Sequence, residues 1–146
     1  MPLPELKIVL MSVVPGPSTG TIADPTRVLI VESQPDLGTL WQKHLERQDM
    51  VVHRVTTQDD AIEFLGSNDV NIIVLDLVLE NGAALAVSDY AQYRQPDARV
   101  IFVTNTSFFS DGSIFAHAGN ARAFVPSDTP PDDLAAMIAH YGAEGR

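Results

Sequence analysis

Five short apolar runs alternate with segments of helical periodicity, and this alternation restricts the fold more than any other feature of the chain. Val28–Val31, Ile72–Leu75 and Val100–Val103 are continuous aliphatic runs, the pattern of strands buried on both faces. Val51–Val55 reads as a more polar strand and Ala123–Val125 as a short fifth one. Between them, Asp36–Gln48 puts Leu37, Leu40, Trp41 and Leu45 at helical spacing. Asp59–Leu65 predicts a short helix closed by Gly66. Gly82 opens a helix through Tyr93 that must end before Pro96. A fourth helix is expected over Ile114–Ala118, and Pro130-Pro131 begins a last one with Leu134, Met137 and Ile138 on one face. Alternating strands and helices with doubly buried strands predict an α/β fold, a five-stranded parallel sheet with helices on both faces. Right-handed crossovers restrict the topology further.

In such sheets, functional groups gather at the carboxyl ends of the strands, beside the point where strand order reverses. The residues there are Glu32 and Ser33, then Asp76, then Thr104 and Asn105, then Pro126, Ser127 and Asp128. Carboxylates, hydroxyls and an amide are thus expected on one rim.

The Pro-, Gly-, Ser- and Thr-rich stretch Pro15–Pro25 reads as a linker, so residues 1–26 form an N-terminal extension and the domain occupies residues 27–146. Within the extension, Lys7–Val14 (KIVLMSVV) is apolar and is expected to form an extra strand or a docked arm. Glu5 before it, Pro15-Gly16-Pro17 after it and the lack of an A-x-A site argue against a signal peptide.

Composition removes several function classes. With 146 residues and 45% hydrophobic content the chain can bury one domain core. No cysteine is present, which excludes disulfides and thiolate chemistry and fits a cytoplasmic setting. The net charge is −10, and nine unclustered Lys and Arg make a nucleic-acid surface unexpected. No run of 18 apolar residues predicts a membrane span. His44, His53, His117 and His140 lack metal-ligand spacing, Ser110-Asp111 with His117 has no nucleophile elbow around it, and no Gly-rich phosphate loop occurs.

Four segments, VLIVESQPDL, NIIVLDLVLENG, RVIFVTN and AFVPSD, resemble in order and spacing the receiver domain of two-component response regulators. The resemblance spans roughly Arg27 to Tyr141 and implies a flavodoxin-like (CheY-like) fold. It implies that Asp76 is the phospho-acceptor, taking a phosphoryl group from a phosphohistidine of a sensor histidine kinase or phosphotransfer protein. It places Glu32 and Ser33 where two acids help hold Mg²⁺, with Asp76 and the Val78 backbone carbonyl as further ligands. Thr104 matches the hydroxyl that bonds the phosphoryl oxygens, and Phe124 the switch aromatic, a position that simple core packing would also explain. Ser127 stands in place of the family's lysine.

The family's chemistry needs negative charge cancelled around a carboxylate nucleophile, because phosphoryl transfer relies on positioning and charge neutralisation. Ser33 brings no carboxylate, so Mg²⁺ is expected to bind weakly. Ser127 brings no positive charge, and the loop Leu79-Glu80-Asn81-Gly82 lacks the family's usual proline. Two readings follow. One is a single-domain receiver that signals through protein–protein contacts; with Arg146 soon after the last helix, its output would be a separate downstream protein or the return of phosphate through a relay. The other is a phosphorylation-independent pseudo-receiver, an interaction module. Phe108 and Phe109, with the face of the fourth helix, fifth strand and fifth helix, are the expected contact surface, including for a homodimer.

Overall fold

The computed structural model describes residues 25–79, 82–104 and 120–144. The elements are β1 (Arg27–Val31), α1 (Pro35–Glu46), β2 (Val51–Val55), α2 (Gln58–Ser67), β3 (Ile72–Asp76), α3 (Ala84–Arg94), β4 (Arg99–Thr104), β5 (Ala121–Pro126) and α4 (Pro131–Glu144). The strands form one parallel sheet in the order β2-β1-β3-β4-β5. Strand order reverses between β1 and β3, so the ends of those two strands flank the crevice expected to hold a ligand. Lys7–Val14, Phe108, Phe109 and the helix expected over Ile114–Ala118 lie outside the described residues. The last helix, expected as the fifth, is therefore the fourth described, α4.

Alternation along each strand sends side chains to two separate cores. Leu29, Val31, Ile73, Leu75, Val100 and Phe102 pack beneath α2 and α3 with Leu65, Val87 and Ala91. Val28, Ile30, Ile72, Val74, Ile101 and Val103 pack beneath α1 and α4 with Trp41, Leu45, Leu134 and Ile138. Burial on both faces is why β1, β3 and β4 read as unbroken apolar runs.

Local chemistry sets the ends of the helices. Pro35 opens α1 at a position whose N–H needs no partner, and Asp36 lies in the first turn. The Thr57 side chain caps α2 by accepting from the Asp60 N–H at 3.1 Å. Two expectations need correction. Gly66 does not close α2 but lies within it, against the Tyr90 hydroxyl; its small size serves packing with α3. The helix ends at Asn68, whose backbone and side-chain N–H groups both donate to the Phe64 carbonyl at 2.9 and 3.1 Å. Gly82 does not open α3. Its φ of +108° belongs to the preceding loop, and the helix starts at Ala84.

Candidate functional site

The register of the sheet builds the site. Val31 pairs with Leu75, so Glu32 follows β1 where Asp76 ends β3. Asp76 in turn pairs with Val103, and Thr104 pairs with Pro126, which puts Ser127 one residue past β5. Two backbone bonds lock these ends together. The Leu77 N–H donates to the Val103 carbonyl, and the Ser127 N–H to the Thr104 carbonyl, both at 2.8 Å.

Glu32 is only 1% exposed. Its backbone N–H donates to the Val55 carbonyl at 3.1 Å, and its Oε2 accepts from the Gln34 N–H at 3.1 Å. Burial pushes its carboxyl up from 4.5 to about 8. A hydrogen bond to the Asp76 carboxyl and the negative charge of that group add to the rise, while the backbone N–H groups of Gln34 and Ser33 oppose it. The two carboxyls thus lie within hydrogen-bond reach of each other. On its other side, Asp76 Oδ1 accepts from the Val78 N–H at 3.0 Å, which fixes the plane of the carboxylate.

The structure gathers Glu32 and Asp76 directly, with half-buried Ser33 next in the chain. Val78 is exposed in the loop that holds Asp76, and Thr104 is buried at the end of β4. Ser127 is partly buried in a turn that Thr129 closes, both its N–H and its hydroxyl donating to the Pro126 carbonyl. Phe124 lies opposite Phe102 and packs, partly buried, against the core on the α2–α3 face. Packing accounts for its presence there.

One positioning group, Gln58, was not read from the sequence. The Gln58 Oε1 accepts from the Ala83 N–H at 2.7 Å, and the Gln58 side chain occupies the space a Cβ on Gly82 would need. Gln58 thereby ties the far end of the loop after Asp76 to the start of α2. Only the glycine hinted that something approached this backbone closely.

Glu32 and Asp76 bring two carboxyls, both hard oxygen donors, to one place. Mg²⁺ commonly takes one or two carboxylates and fills its octahedron with water and phosphate oxygens, so the set fits that ion with little to spare. Among the described residues no cluster of three or more His, Cys, Asp or Glu could hold a metal ion. Nor is any described helix long and apolar enough to cross a membrane.

The profile of the response regulator receiver domain matches residues 28–139. The Regulatory protein LuxO of Vibrio cholerae is 29% identical over 109 residues, covering 75% of this chain and 24% of that protein. The chain thus spans about a quarter of the length of this relative. A CheY-like receiver domain protein from Methanospirillum hungatei superposes with a TM-score of 0.76 at 20% identity, over 84% of this chain and 97% of that one. A response regulator from Burkholderia pseudomallei, solved with a phosphorylated aspartic acid, a calcium ion and citrate, has a TM-score of 0.70 at 20% identity, over 82% and 69%. From the matched profile, the sheet order and the acids at the ends of β1 and β3, the chain belongs to the response regulator receiver domain family.

Proposed function

We propose that this chain works as a phospho-accepting receiver in two-component phosphorelay signalling, with Asp76 as the acceptor. The observation that carries the reading is the apposition of the Glu32 and Asp76 carboxyls at the strand-order reversal. An Asp76 oxygen attacks the phosphorus of a phosphohistidine on a sensor histidine kinase or phosphotransfer protein. The new P–O bond forms as the P–N bond breaks, and the imidazole leaves as the neutral ring after taking up a proton. Thr104 ends the neighbouring strand, where its hydroxyl can donate to a phosphoryl oxygen. Glu32, Asp76, the Val78 carbonyl and, more weakly, the Ser33 hydroxyl would hold Mg²⁺. When bound, that ion neutralises the charge of the incoming phosphoryl group. The Burkholderia neighbour, with its phosphorylated aspartic acid and calcium ion, supports this arrangement by analogy.

The chain is then a signalling module rather than a dedicated enzyme, acting in the cytoplasm through protein contacts. The face built on β5 and α4, with a homodimer among its partners, is part of the same proposal. The pseudo-receiver remains as a second reading because Ser127 carries no charge at the position of the family's lysine. Treatment with Mg²⁺ and a small acyl phosphate, followed by intact mass, separates the two. One added phosphoryl group on the wild type and none on Asp76→Asn is the expected result. Modification that persists in Asp76→Asn removes Asp76 as the acceptor, and no modification of the wild type selects the interaction module.

A further inference from the structure

Among the described residues β2 is an edge strand of the sheet, paired only with β1. The Val51 N–H donates to the Thr26 carbonyl, and the Val55 carbonyl accepts from the Glu32 N–H. Backbone groups alternate along a strand, so Val51, His53 and Val55 bond to β1 while Val52 and Arg54 turn their N–H and C=O groups outward. Among the described residues no strand lies beyond β2. The side chains beside this edge are partly apolar: Val51 is 46% exposed, and the His53 ring stacks on Phe64 at 4.1 Å. A groove of about 510 Å³ runs between β2 and α2, with Asp60 and Glu63 at one end and Ser67 and Asn68 at the other. Exposed apolar edges invite pairing with another strand unless something covers them.

We propose that Lys7–Val14 of the same chain covers this edge as a sixth strand, antiparallel to β2. The run Ile8–Val14 is rich in β-branched and aliphatic residues, and its seven positions suffice for the five of β2. The eleven residues Pro15–Pro25 join it to β1. They can extend roughly 36 Å. From the start of β1 to a strand outside β2 is two strand spacings, roughly 10 Å. A tethered segment also competes for the edge at a high effective concentration. Charge agrees with the antiparallel direction. Strand pairing sets Val14 near the start of β2, so Lys7 falls at the opposite end, where Asp60 and Glu63 line the groove. This proposal is independent of phosphorylation at Asp76.

Amide hydrogen exchange on the full chain tests it. The outward amides of Val52 and Arg54 are expected to be protected at least ten-fold more in the wild type than in the double variant Val9→Lys, Met11→Lys. Val51 and His53, which bond to β1, should stay protected in both and report an intact fold. Lys7→Glu should give partial loss of the same protection. Rapid exchange of Val52 and Arg54 in the wild type overturns the proposal. So does protection that survives the double variant. Protection that disappears on dilution also overturns it, and assigns the edge to a second copy of the chain.

Discussion

The carboxyl ends of β1 and β3 keep two acids in contact, whereas the ends of β4 and β5 offer a threonine and a serine. On the first side, burial, a hydrogen bond to Asp76 and the charge of that group raise the Glu32 carboxyl to about 8. On the second, Thr104 and Ser127 are joined through backbone, the Ser127 N–H donating to the Thr104 carbonyl. A serine hydroxyl can add a neutral hydrogen bond to a phosphoryl group, and a charge-assisted bond is typically worth about twice as much. On the proposed function, acceptance of phosphate and the response to it would rest on different strands. By the resemblance, Ser127 replaces a charged residue on the proposed responding side, and Ser33 replaces one acid of a pair on the proposed accepting side.

The largest effect is expected on the accepting side. Asp76→Asn should abolish phosphoryl incorporation from an acyl phosphate, read by intact mass, whereas Ser127→Ala should leave incorporation within a few-fold of the wild type. Equal loss in both variants would dissolve the distinction between the two halves.

A pH dependence follows from Glu32. Its carboxyl is raised from 4.5 unfolded to about 8 folded, so between those values the folded protein holds a proton that the unfolded chain has released. Stability must therefore fall as pH rises through that window. The contribution is complete below about 4.5 and gone above about 8. On the proposed function, Mg²⁺ would bind the folded site alone and restore stability most at the alkaline end. Denaturant titrations at pH 5 and pH 8 should show this slope in the wild type and a shallower one in Glu32→Gln. A wild-type protein equally stable at both pH values would contradict the crowding of the two carboxyls.

The loop after Asp76 depends on Gly82. Gly82→Ala meets both a positive φ and the Gln58 side chain, and should cost about 1–3 kcal/mol in urea unfolding. Gln58→Ala should relieve part of that cost in the double variant. If Gly82→Ala unfolds like the wild type, the loop is not held as described.

The smallest effect concerns the replaced acid. Ser33→Asp should tighten Mg²⁺ about ten-fold, the equivalent of one charge-assisted contact of roughly 1.5 kcal/mol. Calorimetric titration that shows no change would place the ion away from Ser33.

The sheet and its site were legible in the sequence to different depths. Doubly buried strands are continuous apolar runs, so β1, β3 and β4 could be placed within a residue or two, and with them Glu32, Asp76 and Thr104. Helix ends were harder to read, because glycine has several uses. Gly66 suggested a stop but fits under Tyr90, and Gly82 suggested a start but serves a loop. The Gln58 contact joins residues 25 positions apart on different elements, and no local pattern encodes it. Nor does the proton held by Glu32 follow from residue type. It needs the register that brings Glu32 beside Asp76 and the burial that removes water from both.

The division between an accepting and a responding half is tested most directly by amide chemical shifts with and without Mg²⁺ and beryllium fluoride, a mimic of the phosphoryl group. In the wild type, large changes are expected at residues 32–33 and 76–79 and small ones at Thr104 and residues 124–128. Ser127→Lys should enlarge the second set while leaving the first unchanged, since moving a two-state equilibrium decisively takes several kcal/mol of differential binding. Large changes at Thr104 and residues 124–128 in the unaltered protein would contradict the division, as would a response that is absent from both halves.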